Sequence, residues 1–370
     1  MSSGRPPAFT GREAGRTTRR QFLQLAAGAG VASRAALAAI PDDGRAAGPV
    51  VAQLTDGTIR LELDPDMRLR VWRLAAGSTP LTPWSAPDVI ELVGGRSLDR
   101  FHFTGQERAS FEGPHGPGVR LTLSGIASEP RIEKRLVIEV CERYPGVAFC
   151  RVSFRNLSSQ TLGLCGWTAS RVRLPHGARA DGSEPEFWSY CGSTHADRRD
   201  WVQPVKAGFA QDNFMGMTAS DYGGGTPVVD VWRRDAGLAV GHLELHPLLV
   251  SLPVRYRDGA VDLAVVAQIE RALTPGASLE TPTTFIAVHG GDYFATLDAY
   301  RRIMADRGLH APVPPPAAYE GIWCAWGYER NCTLELIENT LPKVRELGLG
   351  WAVVDDGWQS NVGDWKLDAK

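Results

Sequence analysis

The chain has 370 residues, of which 43% are hydrophobic and 22% are charged, and its formal net charge is -2. This composition is that of a globular protein, and it excludes both a disordered chain and an integral membrane protein. Because there is no basic excess to attract a phosphate backbone, the balance of charges argues against nucleic acid as a partner.

Residues 1–40 are predicted to be a signal peptide of the twin-arginine export route. Arg19 and Arg20 precede a weakly apolar, alanine-rich run over residues 23–39, which ends in small residues typical of a cleavage site. That run is too short and too mild to span a bilayer, and no later stretch is apolar enough to do so. We therefore expect the protein to be exported to the periplasm or secreted, without a membrane span.

The six cysteines are not expected to form a disulfide framework. Cargo of the twin-arginine route folds before export, in a reducing compartment, and no C-x-x-C pair indicates a zinc ribbon. If Pro145 and Gly146 form a two-residue turn, Cys141 and Cys150 lie directly opposite each other in a hairpin. Two packed thiols are predicted there, and a disulfide between them is the alternative.

Neither a metal nor a cofactor is predicted. His242 and His246 would share one face of a strand, but no third ligand accompanies them. The sequence contains no G-x-S-x-G nucleophile elbow and no phosphate-binding loop.

Alternation of apolar and polar residues dominates the chain from about residue 48 to residue 290. It is clear in Ile59–Leu63 and Val119–Leu123, and Phe285–Val288 is the last predicted strand. The 40 glycines and 25 prolines favour turns between many short strands. Because the region is long for one ordinary sandwich, an enlarged two-sheet β-sandwich is predicted.

The pattern changes after Gly291. Apolar residues at three- and four-residue spacing predict a helix that begins near Tyr293 and ends near Gly308. Four prolines between residues 312 and 316 then predict a stiff linker. Residues 291–318 are therefore expected to separate two domains.

A strand–helix–strand unit is predicted at the start of residues 319–370. Residues 321–326 and 351–354 are apolar runs without polar alternation, as in strands that are buried on both faces. Apolar residues at helical spacing lie between them, from Leu334 to Leu347, with a kink expected at Pro342. Two buried strands joined by a helix predict a parallel sheet.

The residues most indicative of chemistry follow the second of these strands. Asp355 and Asp356 come directly after it, at the end of a parallel strand where α/β proteins bind ligands. Ionised carboxylates accept hydrogen bonds from adjacent sugar hydroxyls, and Trp326, Trp358 and Trp365 offer apolar faces to a sugar ring. These five residues are the predicted substrate-binding residues. The alternative role for the two aspartates is to cap the next turn.

Asp355 and Asp356 are not predicted to be a catalytic pair. A retaining glycosidase needs two carboxyl groups roughly 5 Å apart, on opposite sides of the scissile bond. Neighbours at one strand end approach a sugar from the same side, so recognition of hydroxyl groups is the predicted role.

Several segments together resemble glycoside hydrolase family 36, which consists mainly of α-galactosidases. The segments similar to the start of its catalytic barrel are Cys324-Ala325-Trp326, the helix over 333–346, Val353-Val354-Asp355-Asp356-Gly357-Trp358-Gln359 and Gly363-Asp364-Trp365. The segments similar to its N-terminal domain are Gly225–Trp232 and Gly237–His242. The resemblance implies a β-supersandwich over residues 48–290. It also implies that residues 319–370 begin a (β/α)8 barrel.

The resemblance further implies a retaining mechanism on α-galactosides. The aspartate pair of the family, which matches Asp355 and Asp356, binds the C4 and C6 hydroxyls of galactose, and Trp326 would line the same pocket. The nucleophile and the acid/base belong to later barrel strands, and a full barrel takes roughly 250 residues. Because only 52 residues follow Ala318, about two of eight strands are expected here. Both catalytic carboxylates are then expected beyond Lys370, and this chain by itself is expected to be inactive.

Three hypotheses about function stay open. The first is an α-galactosidase that acts on α-galactoside oligosaccharides. For its full-length form, a homo-oligomer is one of the open alternatives. The second is an α-N-acetylgalactosaminidase or a galactosyl transferase of the same clan, since the residues that face C2 would come from later strands. The third is a non-catalytic carbohydrate-binding β-sandwich. A reading frame that continues beyond Lys370 would favour an enzyme over this third hypothesis.

Overall fold

A computed structural model of the protein describes residues 48–76, 79–176, 186–192, 201–216, 224–361 and 363–368. The predicted twin-arginine signal over residues 1–40 lies outside them. The chain divides into two units between Leu309 and His310, inside the predicted linker region. Within the part of the chain that the structure describes, no helix combines the length and the apolar character needed to cross a membrane.

The first unit is built mainly of antiparallel strands. They are β1 (Ala52–Thr55), β2 (Ile59–Leu63), β3 (Leu69–Arg73), β4 (Val89–Leu92), β5 (Arg96–Leu98), β6 (His102–Gly113), β7 (Gly116–Ser128), β8 (Arg131–Cys141), β9 (Val147–Asn156), β10 (Leu162–Pro175), β11 (Phe187–Tyr190), β12 (Val202–Val205), β13 (Ala210–Gln211), β14 (Val228–Trp232), β15 (Gly237–His242), β16 (Val254–Arg257), β17 (Ala260–Leu273), β18 (Ser278–Glu280) and β19 (Thr284–His289). A short 3₁₀ helix, Leu74–Ala76, follows β3, and the α-helix α1 spans Tyr293–Asp306.

The strands form three sheets that share one apolar core. A three-stranded sheet has the order β1-β2-β3, and a six-stranded sheet has the order β13-β16-β17-β10-β4-β5. The ten-stranded sheet has the order β12-β11-β14-β15-β19-β9-β8-β7-β6, with β18 paired to β9. Because the core cluster contains side chains from all three sheets, the sheets pack on one another. The first unit is therefore mostly β-sheet, as the alternation in the sequence predicts.

The alternation in the sequence decides which side of each strand faces the core. In β7, Leu121 and Leu123 are buried, whereas Thr122 between them is half-exposed. Leu123 lies opposite Leu136 of β8, so the apolar stripes of the two strands face the same side.

Helix α1 covers part of the outer face of the ten-stranded sheet. Its residues Ile303 and Met304 pack in a second apolar cluster with side chains from that sheet. Asp292 caps the helix by accepting a hydrogen bond from the backbone N–H of Phe294 at 3.0 Å. At the other end, the Tyr144 hydroxyl donates to Oδ2 of Asp306 at 2.5 Å, which fixes the last turn of the helix to the sheet.

The predicted pairing of Cys141 with Cys150 is wrong. Ile138 lies opposite Cys150, and Cys141 lies opposite Gly118 of β7. The connection between β8 and β9 is longer than two residues, which shifts the register of the hairpin away from the predicted one. All six cysteines are free thiols.

A buried ion pair joins the two large sheets. Lys134 lies in the core-facing stripe of β8, and its Nζ atom is 2.7 Å from Oδ2 of Asp88, the residue before β4. Both side chains are 1% exposed. Oδ1 of Asp88 accepts a hydrogen bond from the backbone N–H of Ser170 in β10. Because an unpaired charge in a protein core is costly, each member of the pair depends on the other.

We predict that Lys134→Met lowers the free energy of unfolding by about 3–5 kcal/mol, because it leaves the carboxylate of Asp88 buried without a counter-charge. Urea unfolding followed by tryptophan fluorescence measures the change. Lys206→Met, at an exposed position, is the control and should change stability by less than about 0.5 kcal/mol. Adding Asp88→Asn to Lys134→Met should recover part of the loss, and a single variant as stable as the control would contradict the role of the pair.

The second unit contains one parallel strand pair. Its elements are the 3₁₀ helix Pro316–Tyr319, β20 (Ile322–Cys324), the 3₁₀ segment Ala325–Asn331, α2 (Leu334–Glu346), β21 (Trp351–Val353), β22 (Gln359–Asn361) and β23 (Asp364–Leu367). Strands β20 and β21 pair in parallel, with Cys324 opposite Val353, and β22 and β23 form an antiparallel hairpin. The predicted strand–helix–strand unit is therefore present.

The burial of the two parallel strands differs from the sequence prediction. The strands were expected to be buried on both faces, but Ile322, Trp351 and Val353 are all more than 40% exposed. Apolar strands become buried only when further strands and helices cover them, and the described part of the unit pairs only two strands in parallel. Pro342 lies inside α2, which continues to Glu346.

Candidate functional site

The candidate site lies where the parallel strands β20 and β21 end. Asp355 and Asp356 follow β21 after a single residue, and Asp355 has a φ of 44°, in the left-handed region. Gly357 also has a positive φ, of 108°. The backbone therefore turns sharply after the strand, and the strict alternation of side chains between two faces ends there.

Asp355 is held by two hydrogen bonds. The thiol of Cys324, the last residue of β20, donates to Oδ2 of Asp355 at 2.9 Å. The backbone N–H of Asp356 donates to Oδ1 at 2.7 Å. These two bonds, that from Cys324 first, lower the pKa of the Asp355 carboxyl below its usual value, so it is ionised at neutral pH. The same contact raises the pKa of the Cys324 thiol, because the hydrogen bond to the carboxylate stabilises the protonated form of the thiol.

Asp356 is bound to the turn that follows it. Its Oδ1 atom accepts a hydrogen bond from the backbone N–H of Gly357 at 3.0 Å and another from the side-chain amide of Gln359. The Sγ atom of Cys332 lies 3.9 Å from the carbonyl oxygen of Asp356. The predicted alternative role, capping of the next turn, is therefore one that Asp356 fulfils.

Two of the three predicted tryptophans come together. The rings of Trp358 and Trp365 are 5.7 Å apart between centroids, at an interplanar angle of 46°. Trp365 is 85% exposed and Trp326 is 48% exposed, so both offer ring surface to a ligand. Trp326 follows β20, and within the described residues it makes no ring contact with the other two.

Sequence reasoning assigned no role to Cys324 or Gln359, although each contacts one of the two aspartates. Cys324 ends β20 at the sheet edge where Asp355 follows β21, so the parallel register brings them together. The contact depends on how two strands distant in sequence pair. Only the predicted parallel pairing of these strands could have indicated it. Gln359 is three residues from Asp356, within reach of a side chain in a tight turn.

Comparisons of sequence and of structure show known proteins to which the chain is similar. No family model matches it. The A type blood alpha-D-galactosamine galactosaminidase of Flavonifractor plautii is 26% identical over 287 residues, which cover 75% of this chain and 26% of that protein.

Solved structures with a similar fold are α-galactosidases. The galactosidase domain of the α-galactosidase-sucrose kinase AgaSK has a TM-score of 0.52 at 14% identity, over 85% of this chain and 52% of that chain. The family 36 α-galactosidase AgaA of Geobacillus stearothermophilus, in complex with raffinose, has a TM-score of 0.52 at 15% identity, over 86% of this chain and 52% of that one. The α-galactosidase of Lactobacillus brevis gives 0.53 at 12% identity, over 86% and 51%.

The fold is therefore that of family 36 α-galactosidases, and the family resemblance predicted from the sequence is confirmed. The chain is similar in sequence to a galactosaminidase and similar in fold to α-galactosidases. It spans about half the length of these solved structures and 26% of the curated relative.

We predict that Asp355→Asn speeds the alkylation of Cys324 by iodoacetamide severalfold at pH 8. The substitution removes the carboxylate that raises the pKa of this thiol, so a larger fraction of it becomes thiolate, the reactive form. Peptide mass spectrometry of the intact chain measures the rate. Cys165 is an internal control, because it is exposed and lies in the first unit, so its rate should not change. An unchanged rate at Cys324 would contradict the hydrogen bond to Asp355.

Proposed function

We propose that the protein is an exported, retaining glycoside hydrolase that releases terminal α-linked galactose from oligosaccharides or glycoconjugates. The observation that carries this proposal is the position of Asp355 and Asp356, side by side at the carboxyl end of a parallel strand pair. The lowered pKa of Asp355 supports it, because an ionised carboxylate is a strong acceptor for sugar hydroxyls.

The geometry of galactose fits this pair. Its C4 hydroxyl is axial and lies on the same side as the C6 hydroxymethyl group, so two donors meet one edge of the ring. Two neighbouring carboxylates accept from both donors at once. The exposed rings of Trp326, Trp358 and Trp365 give apolar surface for the C–H face of the sugar.

Catalysis is proposed to come from residues beyond Lys370. The support for this is that the chain spans only about half the length of the solved α-galactosidases. Residues 319–370 would then begin a (β/α)8 barrel whose later strands carry the nucleophile and the acid/base. Their carboxyl groups, roughly 5 Å apart, would give retention through a covalent galactosyl intermediate.

A second candidate function is the hydrolysis of α-linked galactosamine or N-acetylgalactosamine. It is favoured by the relative from Flavonifractor plautii, whose name is that of a galactosaminidase. Galactose and galactosamine differ only at C2, so both would present the same C4 and C6 hydroxyls to Asp355 and Asp356. Initial rates on aryl α-galactoside, aryl α-galactosaminide and aryl α-N-acetylgalactosaminide separate the candidates.

We predict that, in the enzyme extended beyond Lys370, Asp355→Asn and Asp356→Asn each lower kcat/KM for an aryl α-galactoside roughly 10- to 100-fold. Each change removes charge-assisted hydrogen bonds to the sugar. Activity on the matched aryl α-glucoside should change little, because its equatorial C4 hydroxyl does not reach the pair in the same way. Asp298→Asn, on the exposed side of α1, is the control and should leave both rates unchanged. Equal losses on the two sugars would mean that the pair supports the fold.

Export is proposed on the basis of the paired arginines alone. We predict that replacing Arg19 and Arg20 together by Lys holds the protein in the cytoplasm, because the route recognises the two guanidinium groups. Immunoblots of periplasmic and cytoplasmic fractions measure the distribution. Replacing Arg5 and Arg12 by Lys is the matched control, and an unchanged periplasmic yield of the first variant would remove the proposal.

A further inference from the structure

A cleft lies on the outer face of the ten-stranded sheet, in the first unit, and its volume is about 270 Å³. Side chains of β7, β8 and β9 form its floor. The turn between β6 and β7 and the residue that follows α1, Arg307, form its walls. The cleft belongs to a different unit from Asp355 and Asp356, so it is not part of the proposed galactose site.

Strand register explains why charged groups collect here. Arg120 of β7 lies opposite Glu139 of β8, and Val137 of β8 lies opposite Arg151 of β9. Directly opposed residues share a side of an antiparallel sheet, and residues two apart in a strand share that side as well. Ile138, between Val137 and Glu139, is buried in the core, so the charged side chains face outward.

Two arginines of the cleft have no counter-ion. The Nε atom of Arg120 is 2.5 Å from Oε1 of Glu139, so that arginine is paired. Arg151 and Arg307 form no ion pair with any residue that the structure describes. The Nε atom of Arg307 is also buried and lacks a hydrogen-bond partner there. A buried donor without a partner is costly, so a ligand that accepts a hydrogen bond from it would be stabilised.

His115 adds a second polar group without a hydrogen-bond partner. Its side chain is 9% exposed, and its ring stacks on Phe149 at 4.8 Å between centroids. Its Nδ1 atom is buried, lies 3.8 Å from Oδ2 of Asp306, and makes no hydrogen bond within the described residues. His115 therefore gives the cleft a planar wall.

The charges of the lining residues define the ligand. Three arginines face two glutamates, Glu112 and Glu139, so the cleft keeps one net positive charge. Guanidinium groups bind carboxylates through paired hydrogen bonds, and glutamates accept hydrogen bonds from hydroxyls. A cavity of about 270 Å³ suits a molecule of monosaccharide size. We propose that this cleft binds a hexuronic acid, with its carboxylate on Arg151 and Arg307 and its hydroxyls on the glutamates.

Isothermal titration of the intact chain with D-galacturonate tests the proposal, with D-galactose and acetate as matched ligands. Galacturonate should bind with a Kd on the order of 1 mM or tighter, and neither matched ligand should reach one tenth of that affinity. Arg307→Gln and Arg151→Gln should each weaken galacturonate about tenfold or more, because each removes a charged donor to the carboxylate. Arg301→Gln is the control, since Arg301 is 71% exposed and pairs with Asp298 outside the cleft.

Several results of these titrations would overturn the proposal of a hexuronic acid site. Acetate binding as tightly as galacturonate would identify a site for simple anions, and galactose binding as tightly would identify a neutral sugar site; both overturn the proposal. Affinity that is unchanged in both arginine variants, or absent in the native chain, overturns it as well. Arg151 is exposed on its strand, so Arg151→Gln should melt at the native temperature and keep the test informative if Arg307→Gln fails to fold. Asp355→Asn with Asp356→Asn should bind galacturonate as the native chain does, which separates this site from the proposed galactose site.

Discussion

The ion pair between Lys134 and Asp88 fixes how the two large sheets face each other. Its polar contacts continue through Ser170 to Thr284, whose hydroxyls are 2.7 Å apart. The hydroxyl of Thr284 in turn donates to the carbonyl oxygen of Cys150 at 3.2 Å. Apolar contacts alone tolerate small slides of one sheet over another. Buried polar groups do not, because a slide would leave each of them without its partner.

The orientation of the strands in these sheets also decides which charged side chains lie on the outer surface. Once Lys134 points inward, the period of two in β8 directs Glu139 outward, next to Arg120 and Arg151 of the neighbouring strands. Helix α1 packs on the same outer face, where Tyr144 binds Asp306 at its last turn, and this leaves Arg307 at the rim of the cleft. The burial of Lys134 and the outward position of Glu139 thus follow from the same alternation in β8.

Parts of the candidate sugar site could be predicted from the sequence, and others could not. Asp355 and Asp356 were predicted to bind a sugar because the carboxyl end of a parallel strand is a recurrent place for ligands, and this role stays a prediction. Their contacts with Cys324 and Gln359 were not found, since one depends on the register between two strands and the other on the shape of a turn. Pairing of Cys141 with Cys150 was predicted from an assumed two-residue turn, and a longer connection made it wrong.

The sequence by itself determined the local structure: the alternating strands, the helix after Gly291, the strand–helix–strand unit and the carboxylates that follow it. These depend on periodicity and on side chains close along the chain, which physical reasoning can read directly. Only the tertiary structure decided which strands are neighbours, how Lys134 finds Asp88, and which charged groups of β7, β8 and β9 line one cleft. The reason is that contacts between distant segments depend on how whole sheets pack, and the same alternating pattern is compatible with many registers.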